Sequence, residues 1–179
     1  MVRETVAIAS DHAGVALKAA LSRALEEKGY SVLDLGAHGP ESVDYPDFAD
    51  ALAAALAEGK ATRGVAVCGT GIGISIALNR HRHIRAALCH DGSSARLARE
   101  HNDANVIAIG ARQHTFEQVT EFIDTFIATP FSGEERHVRR IRQLAAFEAD
   151  GTLEPDPRAG SVTTDVLAAT DSSFDPEAG

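Results

Sequence analysis

Along the first 110 positions of the chain, short apolar runs rich in β-branched residues alternate with longer stretches whose apolar residues return every three or four positions. The short runs are Thr5 to Ala9, Ser31 to Leu35, Gly64 to Cys68, Arg85 to Cys89 and Asn105 to Ile109. Their nearly continuous apolar character suits strands buried on both faces. Between the first two runs, Val15, Leu17, Leu21, Ala24 and Leu25 mark one side of a helix, and Lys28-Gly29 supplies a C-terminal cation and a glycine stop. A second helix starts near Pro46, a good first-turn residue, and runs through an alanine-rich stretch to Glu58-Gly59. Further helices are expected at Gly73 to Arg80, Ser93 to Glu100 and Phe116 to Ala128. After Pro130 and Ser132-Gly133, a last helix carries Val138, Ile141, Leu144, Ala145 and Phe147 on one apolar side. Five strands alternating with about six helices predict an α/β domain, a doubly wound parallel sheet covered on both faces.

The pattern stops near residue 150. From Asp150 to Gly179 the chain holds seven acidic residues, three prolines and a single arginine, a composition too polar to build a core. The expected organisation is therefore one domain over residues 1–149 and an acidic, disordered tail over 150–179. A net charge of −9 argues against a nucleic-acid partner, because binding that backbone needs clustered Lys and Arg. No apolar run approaches the roughly 18 to 20 residues of a membrane span, and the N-terminal MVRETVAIASDH lacks the apolar core and cleavage site of a secretion signal. A soluble, cytoplasmic protein with no membrane partner is expected. Cys68 and Cys89 each end an apolar run without disulfide-framework spacing, and both read as free thiols.

In doubly wound sheets ligands bind beyond the carboxyl ends of the strands. Four of those ends are chemically loaded here: Asp11-His12, Cys68-Gly69-Thr70-Gly71-Ile72-Gly73, Cys89-His90-Asp91 and Gly110-Ala111-Arg112. Three glycines at alternate positions between Cys68 and Ser75 free a strand-to-helix turn whose N–H groups can converge on an anion. Neither common nucleotide motif fits: Ile74 stands where a dinucleotide fingerprint needs glycine, and no Lys-Ser or Lys-Thr follows the last glycine. A tight turn without a ligand is the plain alternative. Cys68, at the mouth of this loop and near a helix N-terminus, is a candidate base, since that setting favours thiolate; a buried, inert thiol is the competing reading. Cys89 has no such loop and is assigned to the inert class.

Arg136 and Arg140, four apart on the last helix, can grip one phosphate between two guanidinium forks, or can lie on a solvated face paired with Glu134 and Glu135. His101, within Arg99-Glu-His-Asn-Asp, is placed after a helix and is open to a functional or a plain surface role. The remaining histidines, among them His137, form no pattern with carboxylates that demands zinc, so no metal is expected.

Five motifs in order, Ser10-Asp-His-Ala-Gly, Asp44-Tyr45-Pro46, Cys68-Gly-Thr-Gly-Ile-Gly-Ile-Ser, Arg99-Glu-His-Asn-Asp and Gly110-Ala-Arg112, make the chain resemble the type B ribose-5-phosphate isomerases and related sugar-phosphate isomerases over roughly residues 3–148. The resemblance implies a Rossmann-like three-layer α/β/α fold with a five-stranded parallel sheet. It also implies a homodimer or tetramer with active sites at the subunit interface and no cofactor. By matching position, Cys68 is the base that moves a proton between C1 and C2, Thr70 relays protons to the sugar oxygens, and the backbone of Gly69, Gly71, Gly73 and Ser75 stabilises the enediolate. Asp11 and His101 match the residues that open the furanose ring, and Asn102 one that holds the substrate beside that histidine. His12, Arg112, Arg136 and Arg140 match phosphate-binding positions, and Tyr45 lines the cleft. One branch of the family carries a glutamate base at the position of Ile74 and no cysteine at that of Cys68, so this sequence falls in the cysteine branch. The favoured activity is interconversion of ribose 5-phosphate and ribulose 5-phosphate. The alternatives are an isomerase of erythrulose 4-phosphate, allose 6-phosphate or galactose 6-phosphate, or a non-catalytic sugar-phosphate-binding module.

Overall fold

A computed structural model of the protein describes residues 4–150, with side chains through residue 146. Strands β1 (Thr5–Ser10), β2 (Ser31–Asp34), β3 (Arg63–Cys68), β4 (Ala86–Leu88) and β5 (Val106–Gly110) alternate with helices α1 (Val15–Glu27), α2 (Tyr45–Ala57), α3 (Ile72–Leu78), α4 (Gly92–Asn102) and α5 (Phe116–Ala128), and α6 (Glu135–Asp150) closes the series. The chain divides within α6 into two compact units, Met1–Ile141 and Arg142–Gly179. All the residues discussed below belong to the first. The acidic tail expected from residue 150 falls outside the described residues, apart from the backbone of Asp150.

All strand pairs are parallel, in the order β2-β1-β3-β5-β4. Because successive side chains of a strand point to opposite faces, each strand feeds two cores. Val6, Ile8, Val65, Val67, Ile107 and Ile109 meet Leu21 and Leu25 of α1, Ala95 and Ala98 of α4, and Val119, Phe122 and Phe126 of α5. The opposite face offers Ala7, Ala9, Ala66, Cys68 and Ala108 to Ala49, Leu52 and Ala53 of α2 and to Ile74 and Leu78 of α3. The three-layer α/β/α arrangement follows from that alternation.

Caps set the helix starts that face the site. Asp91 with Ser94, and Thr115 with Gln118, form reciprocal capping boxes at α4 and α5, and Pro46 sits in the first turn of α2. On α1, Lys18 is only 2% exposed and pairs with Asp34 at the end of β2; a buried cation of this kind is tolerated because it is paired. Asp34 also accepts the Gly36 N–H at 3.0 Å, while Ser10 exchanges backbone bonds with Gly36 and Ala37. These contacts fix the loops after β1 and β2 to one another. The chain leaves β1 toward β2 on one side and returns as β3 on the other, so a crevice opens between the carboxyl ends of β1 and β3.

Candidate active site

Cys68 ends β3 at that crevice, on the alanine face, and is 4% exposed. Its Sγ accepts the Gly71 N–H at 3.1 Å, and Thr70 Oγ1 accepts the Ile72 N–H at 3.3 Å. Gly71 holds φ +77°, a left-handed conformation that non-glycine residues enter at a cost, and a Cβ there would stand 2.9 Å from the Ile109 carbonyl carbon. The first-turn N–H groups of Gly73 and Ile74 have no carbonyl four residues back inside α3, so they are open to a ligand at the loop. Ser75 is buried and donates its hydroxyl to the Ile72 carbonyl at 2.8 Å, which stiffens the turn.

Neighbouring strand ends lean on this loop. The Ala111 and Arg112 N–H groups donate to the Cys68 and Gly69 carbonyls at 2.9 and 3.1 Å, locking the exit of β5 to that of β3. The Arg112 guanidinium lies 3.1 Å from where a Cβ on Gly69 would be, and the Tyr45 ring 2.7 Å from one on Gly73. Glycine at these two positions therefore admits the cation and the phenol against the loop. Asp11, buried, accepts the Ala13 N–H at 2.9 Å and donates its own N–H to the Val67 carbonyl at 3.2 Å, one residue before Cys68. His12 Nδ1 lies 3.2 Å from the Val43 backbone nitrogen and 3.3 Å from its carbonyl oxygen, which ties the ring to the loop before α2.

His101 and Asn102 sit elsewhere. In a parallel sheet α4 runs back from the carboxyl end of β4 to the amino end of β5, and both residues lie in its last turn. The expectation that His101 follows the helix is corrected here: α4 continues through Asn102 and closes at Asp103, which takes φ 43°. The His101 ring stands 4.3 Å from that of His137 on α6. Arg136 and Arg140 flank His137 and are exposed; Arg136 donates to Glu134 at 2.7 Å, the solvated pairing weighed above. One chain thus gathers Cys68, Thr70, Asp11, His12, Tyr45 and Arg112 at one end of the sheet, and His101, Asn102, Arg136 and Arg140 toward the other. A strand length, about 15–20 Å, separates the two ends. His137 escaped the sequence reading because nothing in its spacing joins it to His101, 36 positions earlier.

Cys89 is buried, and burial pushes its thiol up to about 11, opposed by a hydrogen bond with Ser94 and reinforced by Asp91. It has the character of a packing residue. Among the described residues no group of three or more His, Cys, Asp or Glu side chains is placed to hold a metal ion, and no helix is long and apolar enough to cross a membrane.

The family described as Ribose/Galactose Isomerase matches residues 6–144. The chain belongs to the ribose/galactose isomerase family. By that membership it is an aldose–ketose isomerase. Ribose-5-phosphate isomerase B of Escherichia coli is 39% identical over 143 residues, covering 80% of this chain and 95% of that protein. Ribose-5-phosphate isomerase B of Mycolicibacterium paratuberculosis is 39% identical over 155 residues, covering 86% and 98%. The solved Clostridium thermocellum ribose-5-phosphate isomerase B superposes with a TM-score of 0.80 at 42% identity, covering 83% of this chain and 99% of the other. The type B enzyme of Trypanosoma cruzi gives 0.80 at 44% identity, covering 84% and 100%. The ribose/galactose isomerase fold therefore accounts for the whole α/β unit.

Proposed function

We propose that the enzyme interconverts ribose 5-phosphate and ribulose 5-phosphate in the cytoplasm, with Cys68 as the base. The observation that carries the reading is Cys68 itself, at the crevice between β1 and β3 with an N–H aimed at its sulfur; such a donor stabilises negative charge there. The names of the E. coli and Mycolicibacterium relatives support the five-carbon substrate.

Asp11 and His101 open the furanose ring to expose the C1 carbonyl. The Cys68 thiolate takes the C2 proton, and the electron pair moves to O1, giving an enediolate. The open N–H groups of the glycine loop stabilise that charge, Thr70 passes the O2 proton to O1, and Cys68 returns its proton to C1. Arg112, Arg136, Arg140 and His12 hold the phosphate, so that binding energy remote from the reacting carbons orients them. No step requires a metal or an organic cofactor.

A single chain keeps Cys68 and His101 at opposite ends of its sheet, so each site takes His101, Asn102, Arg136 and Arg140 from a second copy in a homodimer. Ile72 and Ile76, four apart on α3 and about half exposed at 49% and 53%, sit beside exposed Tyr45 near Cys68 and suit that contact.

The test is turnover by purified protein in excess chelator on four-, five- and six-carbon sugar phosphates. Robust five-carbon turnover is expected. Preference for another chain length would overturn the substrate, and inactivity on all three would favour a binding module.

A further inference from the structure

His137 is the most completely buried histidine of the described residues, at 2% exposure, and no step above uses it. Its Nδ1 lies 2.8 Å from Ser132 Oγ, and the Ser132 N–H donates to the Glu100 carbonyl at 3.1 Å, next to His101 on α4. The two imidazoles then meet at 4.3 Å between centroids with planes inclined by 38°. A ring fixed on one edge by a hydrogen bond and packed on its face against a second ring removes rotational freedom from that second ring. His101 itself sits at the end of a helix, where the last turn frays and a side chain is otherwise poorly fixed.

We infer that His137 is a positioning residue for His101: pinned by Ser132, its ring sets the plane in which the His101 imidazole is presented to the sugar. The inference rests on the reading of His101 as a ring-opening residue, and it adds to that reading the group that orients it. The electrical setting agrees. Burial, then His101, Arg136 and Arg140, hold the His137 imidazole below the ordinary histidine range against an opposing pull from Glu134. Two imidazolium rings this close would repel, so the neighbouring ring adds to burial in disfavouring charge on His137.

The experiment combines steady-state kinetics with NMR of the histidine rings in the full chain. In H137A, kcat is expected to fall about tenfold or more while KM changes little, since the phosphate ligands remain. H137F restores a flat ring against His101 and should recover most of the lost kcat; S132A, which frees His137 to rotate, should show a smaller loss of the same kind. If H137A does not fold, H137F and S132A carry the test. In the H101A background, H137A should cost nothing further in kcat, because the residue it orients is gone. The His101 ring protons should carry a ring-current shift that disappears in H137A and returns in H137F. Additive losses in the double variant, unchanged kcat in H137A and S132A, or His101 resonances indifferent to H137A would each overturn the inference. Full activity in H101A would instead remove the catalytic reading of His101, and the NMR shift alone would then decide whether His137 fixes its ring.

Discussion

Cys68 Sγ both accepts the Gly71 N–H and stands as the proposed base, so its replacement tests chemistry with little change in volume. Cys68→Ala is expected to lower kcat by about 10³-fold, the middle of the range for loss of a general base, while inorganic phosphate still binds by calorimetry. Substantial residual turnover would remove Cys68 from that role. Gly71→Ala forces a methyl into a φ of +77° and to 2.6 Å from Leu88 Cδ1, and should cost roughly 2–3 kcal/mol in urea unfolding, with activity falling alongside. Cys89 supplies a prediction of a different kind. Its folded value, raised by burial from 9.0 to about 11, means that the unfolded thiol ionises first as pH rises. The Cys89 contribution to stability is therefore complete below pH 9 and is lost as pH climbs through that window. Wild type should lose more stability than Cys89→Ala between pH 8.5 and 10.5; parallel losses would contradict the burial effect. At this scale the sequence was informative wherever a residue's own chemistry is local, as with Cys68 in its glycine loop. It was silent on His137, whose role is created by a neighbour on another helix.

Helix α5 begins with a reciprocal capping box, Thr115 with Gln118. Thr115→Ala should cost about 1 kcal/mol in thermal or urea unfolding, and Thr115→Asn much less, because asparagine also accepts at this position. The span of α5 agreed with the sequence expectation to the residue, since Pro130 and a strong apolar periodicity bound it. The strands were equally legible: burial on both faces leaves continuous apolar runs, and β1 to β5 lie within a residue or so of the expected ranges. Two helix ends were not. α3 stops at Leu78 rather than Arg80 because the Asn79 side chain is taken by the Ala86 backbone, donating to its carbonyl and accepting its N–H, both at 2.9 Å. α4 passes Glu100 and ends on Asp103 in the left-handed region without the glycine that usually announces such a stop. The α3 end is set by β4, which follows it, while at the α4 end Asp103 accepts from Arg85, just before β4, on its carbonyl and carboxylate; no local pattern records either.

Strand polarity decides what the whole molecule must do. With Cys68 at the carboxyl ends of the strands and His101 toward the amino ends, a site that uses both residues draws them from two copies. Mixing Cys68→Ala with His101→Ala after co-refolding should then restore turnover well above that of either slow variant alone, because the mixed dimer contains one intact site. Random pairing gives about a quarter of wild-type activity, as half of the dimers are mixed and each has one working site of two. If both residues served one site within a single chain, every dimer in the mixture would stay slow. The motifs name the parts of the proposed site but not where one chain puts them, which depends on the order β2-β1-β3-β5-β4 and on the return direction of α4. The two faces of that sheet also have different tolerances. Ala7, Ala9, Ala66 and Ala108, beside Cys68 and Val106, make the face toward the α2–α3 layer mostly small, whereas the other face presents valines and isoleucines that can exchange volume with their neighbours. Added methyl groups on the alanine face, such as the two of Ala66→Val, have nowhere to go except by lifting the α2–α3 layer, and α3 carries the glycine loop in its first turn. Drift in the sequence should therefore be absorbed on the valine and isoleucine side, while the alanine side holds the glycine loop at a fixed height above the sheet.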